Sequence, residues 1–113
     1  MPHEPLAKRT CKPCEGKTEP LPVSAAQALL QDLRGWELVA GKALRKTVTC
    51  RNFVDAVNLI QHIVPIAEAE DHHPDLHLTN YRKLTIELST HAIGGLSEND
   101  FILAAKIDQS GVS

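Results

Sequence analysis

Two pairs of strand-like segments, separated by one long amphipathic segment, constrain the fold of this chain most strongly. In residues 44–50 and 84–89 apolar residues alternate with polar ones, which is the period of a strand with one buried face. Runs 36–40 and 76–81 lie just before them and can each form a hairpin with the following segment. Between the two pairs, apolar residues recur every three or four positions over 53–67, which predicts a long helix.

The long helix has clear predicted ends. Asn52 is a favourable N-cap. Pro65 removes one backbone donor and is expected to bend the last turns, and Pro74 prevents continuation, so the helix should end near Asp71. Its predicted buried face consists of Phe53, Ala56, Val57, Ile60, Val64 and Ala67.

Two shorter helices flank the paired strands. Ser24 and Gln27 form a capping-box pattern, which predicts a helix over 24–34 that Gly35 ends. A third helix is expected to open at 97–100 and to run to about residue 109. The predicted order is α-β-β-α-β-β-α. Because strands arrive as hairpins, we expect the α+β class, with a four-stranded antiparallel sheet and three helices packed on one face.

Length and charge limit the function classes. The chain has 113 residues and a formal net charge of −2, which predicts one domain and argues against a nucleic-acid partner. No apolar stretch is long enough to span a membrane, and residues 1–5 lack an apolar signal region, so we expect a cytoplasmic protein without a membrane partner. Residues 1–22 are interpreted as a flexible arm and residues 23–113 as the single folded domain.

The arm carries a CxxC pair, Cys11 and Cys14. A redox motif requires a strand before and a helix after such a pair, and neither is predicted here. Reactive thiols without a structural partner are one interpretation. A zinc site or disulfide clip on the arm is another, with His3 or Cys50 as the available additional ligands.

The stretch from Glu68 to Pro74 is the main candidate for chemistry, because it places two adjacent histidines among carboxylates. Imidazole changes its charge nearest to physiological pH, so paired histidines suit proton transfer. Acidic neighbours and the C-terminal end of a helix favour the protonated ring. Glu68 and His72 are four residues apart and could touch. His73 must project differently because Pro74 turns the chain.

The same stretch has simpler interpretations. A histidine before a proline is an ordinary way to end a helix. His72, His73 and His77 could also supply zinc ligands together with Asp71 or Glu68, although the spacing matches no strong zinc signature, and we expect no metal.

Three further residues have two interpretations each. His91 follows a predicted strand and is either delivered to a cleft or solvated at the surface. Trp36 either seals the preceding helix or forms a wall of a ligand pocket. Tyr81 is better explained as a strand packing residue than as a catalytic acid.

Several spaced residues together resemble the pterin-4a-carbinolamine dehydratase family. The pattern begins with Glu68-x3-His72-His73-Pro74 and continues with Tyr81, His91 and Asp100 at matching distances. The pairs 35–36 and 52–53 also fit, as does 89–91 followed by 94–96. The resemblance covers roughly residues 24–109, and the aliphatic run 76–78 is similar to the bacterial branch of the family.

The resemblance implies an activity and a set of site residues. Family members dehydrate 4a-hydroxytetrahydropterin to quinonoid dihydropterin, need no cofactor or metal, and form dimers or tetramers. By position, His72 and His91 resemble general acids for the departing hydroxyl, and His73 resembles the catalytic-site residue that holds the substrate. The positions that resemble substrate-binding or supporting residues are Glu68, Asp71, Pro74, Ser89, Thr90, Asp100 and Trp36.

A second class of function stays open. Animal relatives also act as dimerisation partners of a transcription factor, and some bacterial relatives look like assembly factors for Rubisco, which tend to have lost the catalytic signature. Because the signature is present here, the resemblance favours an enzyme that recycles tetrahydrobiopterin. Use of another pterin is a third possibility.

Overall fold

The computed structural model describes Leu6, residues 20–90 and residues 93–109. Within these residues the chain forms three helices and four strands in the expected order, so the predicted α+β class is confirmed. The elements are α1 (Val23–Leu30), β1 (Glu37–Val39), β2 (Ala43–Thr49), α2 (Phe53–Glu70), β3 (Asp75–Thr79), β4 (Lys83–Leu88) and α3 (Glu98–Gln109).

The four strands form one antiparallel sheet in the order β1-β2-β4-β3. Each hairpin contributes two strands, and the hairpins join through β2 and β4. Leu44 pairs with Leu88 and Val48 with Leu84 in this central ladder. The register places the apolar residues of both central strands on one face, as their alternation requires.

The core lies between that face and the helices. Leu84, Ile86 and Leu88 are fully buried, whereas Thr85 and Glu87 on the opposite face are half-buried, which confirms the predicted alternation in β4. Helix α3 contributes the largest share of helical core residues, among them Phe101, Ile102, Leu103, Ala104 and Ile107. Its deep burial makes α3 a firm support for any site built at its ends.

Helix α2 begins as predicted but buries a narrower face. The Asn52 side chain accepts a hydrogen bond from the backbone N–H of Asp55 at 2.8 Å, and the helix continues through Pro65 to Glu70. The predicted burial of Phe53 and Val64 is wrong, since they are 54% and 49% exposed. The buried residues are Ala56, Ile63 and Ala67. At about 100° per residue, Phe53 and Val64 lie about 60° and 80° from the centre of this stripe, both on the same side of it.

Helix α1 is shorter than expected. It ends at Leu30 instead of 34, and Pro22 rather than Ser24 precedes it, without a side-chain cap. The backbone of Arg34 forms hydrogen bonds outside the helix: its N–H donates to Asp108 and its carbonyl accepts from Lys46. These long-range contacts outweigh the local helical preference of residues 31–34.

The described parts of the predicted arm contact the domain. Leu6 is 3% exposed and belongs to the core, and the N–H of Leu21 donates to the carbonyl of Leu96 at 2.8 Å. Cys11 and Cys14 lie outside the described residues, and the division at residue 22 stays a prediction. Among the residues that the structure describes, no helix combines the length and apolar character required to cross a bilayer.

Candidate active site

The end of helix α2 directs the two adjacent histidines differently. Asp71 adopts a left-handed conformation, with φ 51° and ψ 42°. Its N–H and that of His72 donate to the last carbonyls of the helix, including that of Ala67, so the helix ends in a closed hydrogen-bonded turn. Aspartate tolerates this conformation better than most residues. The chain therefore turns just before His72, and His73 leaves the turn in another direction.

His72 faces helix α3 and not Glu68, so the predicted contact between Glu68 and His72 is wrong. Its Nε2 atom lies 2.6 Å from Oδ1 of Asp100. The side chain of His72 is 13% exposed and that of Asp100 is 0% exposed. A hydrogen bond between an imidazole and a buried carboxylate is strong, since little water competes for either group.

Asp100 is held by a polar cluster at the start of α3. Its Oδ2 atom accepts hydrogen bonds from the N–H of Ser97 at 2.9 Å and from Oγ1 of Thr90 at 2.8 Å. The Thr90 and Ser97 hydroxyl oxygens are 2.7 Å apart. Ser97 precedes the helix and Asp100 lies in its first turn, where the helix dipole favours a negative charge. Leu96 and Phe101, on either side of this start, are both fully buried in the hydrophobic core.

The loop between β4 and α3 brings this cluster together. Thr90 and Gly95 exchange backbone hydrogen bonds, which close the loop into a short antiparallel bridge. A side chain at position 95 would not fit, because a Cβ atom there would lie 2.9 Å from Cβ of Pro20. Closure of the loop places Thr90 beside Ser97, although the two are seven residues apart.

His73 forms a separate pair at the surface. Its Nε2 atom lies 2.5 Å from Oε2 of Glu68, and the two side chains are 56% and 68% exposed. Both residues line an open hollow of about 150 Å³, whose other walls are apolar. These walls are formed by Ile63, Val64, Ala67, Pro74 and Leu76. An apolar hollow with a few polar groups at its rim is the usual form of a site for a small organic ligand.

The remaining predicted site residues have different positions. His91 lies outside the described residues. Asp71 is exposed, and Ser89 is half-buried directly before Thr90. Trp36 lies near the other end of α3, where its Nε1 donates to Oδ1 of Asp108 at 2.9 Å. Tyr81 is 59% exposed in the turn between β3 and β4, so the expectation that it packs in a strand is wrong.

The described residues contain no group of three or more His, Cys, Asp or Glu side chains arranged to hold a metal ion. Cys50, a ligand considered for a zinc site, is a free thiol. Partial burial, followed by the negative charge of Asp55, raises the pKa of the Cys50 thiol. Cys50 is therefore protonated at neutral pH, which disfavours it as a metal ligand or nucleophile.

Ser97 is the polar residue of the cluster that sequence reasoning did not assign to the site. The pattern Ser97-x-x-Asp100 marks a helix start, and this ordinary role explained it fully at the level of sequence. Its hydroxyl becomes part of the site only because the loop folds back and places it next to Thr90.

Comparison with known proteins identifies relatives over most of the chain. The profile of the family described as pterin 4 alpha carbinolamine dehydratase matches residues 19–110. A relative from Nitrosospira multiformis assigned to these dehydratases is 46% identical over 91% of this chain and 89% of its own length. The mitochondrial pterin-4-alpha-carbinolamine dehydratase 2 of Arabidopsis thaliana is 43% identical over 92% of this chain and 58% of its own length.

A solved structure supports the same relationship. The crystal structure of a transcriptional coactivator/pterin dehydratase from Brucella melitensis superposes with a TM-score of 0.74 and 28% sequence identity. The match covers 81% of this chain and 98% of that one. The similarity therefore extends over almost the whole of the solved chain.

Proposed function

The chain belongs to the pterin 4 alpha carbinolamine dehydratase family of hydro-lyases, and we propose that it dehydrates 4a-hydroxytetrahydropterin by histidine acid catalysis. The observation that carries the mechanism is the pair formed by His72 and the buried Asp100, directly before His73 at the rim of the apolar hollow. The product would be quinonoid dihydropterin and water, within tetrahydrobiopterin recycling.

The reaction requires two proton movements. The hydroxyl on carbon 4a leaves as water after its oxygen receives a proton. The adjacent ring nitrogen loses a proton as the new double bond forms. One proton is delivered and one is taken up, so the reaction needs no net acid, oxidant or reductant. A histidine held beside the ring can serve such an exchange, and general acid catalysis contributes about 10²- to 10⁴-fold.

The described residues suit different parts of this task. His72 is fixed by a buried carboxylate, which suits a group that must present a proton at a defined place. His73 and Glu68 are exposed at the hollow and can form hydrogen bonds with a polar ring edge. The apolar walls of the hollow can cover one face of a flat heterocycle. We assign His91 the second acid by resemblance alone.

A dehydration assay tests the proposal directly. We expect purified protein, treated with chelator, to accelerate the loss of water from 4a-hydroxytetrahydropterin above the buffer rate. His72→Ala and His91→Ala should each lower turnover, by about 10²-fold for His72. His77→Ala is the matched control, since His77 is exposed on β3 and is not among the residues that line the hollow.

Two results would contradict the proposal. A rate equal to the buffer rate from folded protein would favour a binding or assembly module of the same fold. Wild-type turnover in the double variant of His72 and His91 would remove both as acids. The cytoplasmic location and the homodimer or homotetramer are part of the proposal, and size-exclusion chromatography with light scattering tests the assembly.

A further inference from the structure

The two ring nitrogens of His72 are not equivalent. Nε2 is committed to Oδ1 of Asp100 at 2.6 Å, in a setting where the carboxylate is fully buried. In a neutral imidazole one nitrogen carries the proton and the other accepts, and the hydrogen bond of one decides the role of the other. Which nitrogen is protonated therefore depends on whether Asp100 acts as acceptor or donor.

The contacts of Asp100 answer this question. Its Oδ2 atom receives two hydrogen bonds, from the N–H of Ser97 and from the hydroxyl of Thr90. Thr90 donates its only hydroxyl proton to Asp100. In the short contact between Thr90 and Ser97, the Ser97 hydroxyl must therefore donate and Thr90 accept. The resulting chain of donors runs from Ser97 through Thr90 to Asp100. Together with the first turn of α3, it favours an ionised, purely accepting carboxylate.

We propose that this chain fixes Nε2 of His72 as a permanent donor to Asp100, so that His72 exchanges its proton with the substrate through Nδ1. Ser97 and Thr90 are then positioning residues that act through Asp100. The inference rests on the proposed function for the substrate step, whereas the tautomer itself is a property of the protein without substrate.

Burial explains why such a chain is effective. The three residues of this hydrogen-bonded chain, Ser97, Thr90 and Asp100, are at most 7% exposed. None of their buried side-chain polar atoms lacks a hydrogen-bond partner. Reversing one hydrogen bond would leave a buried donor facing a donor, which is costly. The direction of the chain is thereby set cooperatively, and the imidazole at its end takes one tautomer and one orientation.

Nitrogen NMR of uniformly labelled protein without pterin tests the tautomer. In long-range proton–nitrogen spectra of the neutral His72 ring, we expect Nε2 to give the protonated-nitrogen shift and Nδ1 the unprotonated shift. In Asp100→Asn the amide oxygen can keep the contacts to Ser97 and Thr90, so that its NH₂ group faces His72. We expect this variant to move the proton to Nδ1.

Milder variants keep the test independent of any folding defect in Asp100→Asn. Thr90→Val removes the hydroxyl at nearly the same volume, and we expect a mixture of tautomers with kcat lowered about tenfold and KM little changed. Thr90→Ser restores the hydroxyl and should restore the Nε2–H tautomer. Asp108→Asn makes the same chemical change at the other end of α3, and the His72 tautomer should not respond.

The outcomes separate this inference from the proposed function. An Nδ1–H tautomer in the wild-type protein, or an unchanged tautomer in both Asp100→Asn and Thr90→Val, would overturn the network. Folded protein with the Nε2–H tautomer but without dehydratase activity would support the network and contradict the proposed function. A drop in kcat in Thr90→Val with an unaltered tautomer would assign Thr90 a direct contact with the substrate instead.

Discussion

Helix α3 has a carboxylate near each end, Asp100 fully buried and Asp108 with a side chain 12% exposed, and the two carboxylates have different partners. Asp100 in the first turn meets His72, Thr90 and Ser97. Asp108, eight residues later and about 12 Å along the axis, meets Lys46, whose ammonium lies 2.8 Å away. One end thus holds an imidazole, and the other a permanent cation.

The remaining contacts extend this difference. The ammonium of Lys46 also donates to the carbonyl of Arg34 and lies 5.8 Å from the Trp36 ring centre. Trp36 itself donates to Asp108. This second cluster, here called the lysine cluster (Arg34, Trp36, Lys46 and Asp108), ties the loop after α1 to the sheet and to α3. The lysine cluster therefore serves the architecture, whereas the Asp100 end serves the chemistry under the proposed function.

The largest effect on stability should come from the lysine cluster. Lys46→Met leaves the Asp108 carboxylate without its cation, and losing one partner of a buried pair costs about 3–5 kcal/mol. We expect the free energy of unfolding in urea to fall by this amount, with the His72 tautomer unchanged. Arg45→Met is the control on the opposite face, since the half-buried, solvent-accessible pair of Arg45 with Glu87 contributes about 1 kcal/mol or less. Equal losses in both variants would contradict the distinction.

Asparagine at each end of α3 tests the division of roles directly. Asp100→Asn should lower kcat about 10²-fold, because His72 loses its fixed acceptor. Asp108→Asn should lower the free energy of unfolding and leave kcat within about twofold of wild type, a margin small against the contribution expected of a general acid. The assays are steady-state dehydration and urea unfolding of both variants. A larger loss of kcat in Asp108→Asn than in Asp100→Asn would contradict this division of roles.

Trp36 has a smaller expected effect. Its family-like position suggested a role beside the substrate, whereas its contact with Asp108 places it in the lysine cluster. Trp36→Phe keeps a large aromatic ring and removes one hydrogen bond, which should cost about 1 kcal/mol. We expect this loss in thermal or urea unfolding with KM unchanged. A raised KM at wild-type stability would instead return Trp36 to the ligand site.

The exposed pair of Glu68 and His73 should contribute least to stability. With side chains 68% and 56% exposed, it resembles surface ion pairs, which contribute about 0–1 kcal/mol. Glu68→Gln is expected to change unfolding by less than about 0.5 kcal/mol and to shift the ring NMR signals of His73 but not those of His72. A response of His72 alone would restore the pairing first expected from the spacing of four residues.

Much of the site could be anticipated from spacing, but its pairings could not. The run from Glu68 to Pro74 marked both histidines, and the left-handed residue at position 71 decided where each one points. A spacing of four suggests contact only while the helix continues, and this helix ends at Glu70. Local rules therefore marked two histidines that the structure places in hydrogen-bonded pairs, but they assigned Glu68 to the wrong one. Ser97 was missed because its position at a helix start was a sufficient explanation for it. Its second contact, with the Thr90 hydroxyl, exists only because the loop closes.

By itself, the sequence determined the class and order of the elements. Period-two alternation in 84–88 and the Asn52 cap depend only on neighbouring residues, so local rules are enough to interpret them. Tertiary structure alone decided how wide the buried face of α2 is, where α1 ends and which carboxylate each histidine meets. These outcomes depend on groups far apart in the chain, such as His72 with Asp100 and Arg34 with Asp108. A buried polar group must find a partner wherever the fold provides one, and periodicity carries no information about that choice.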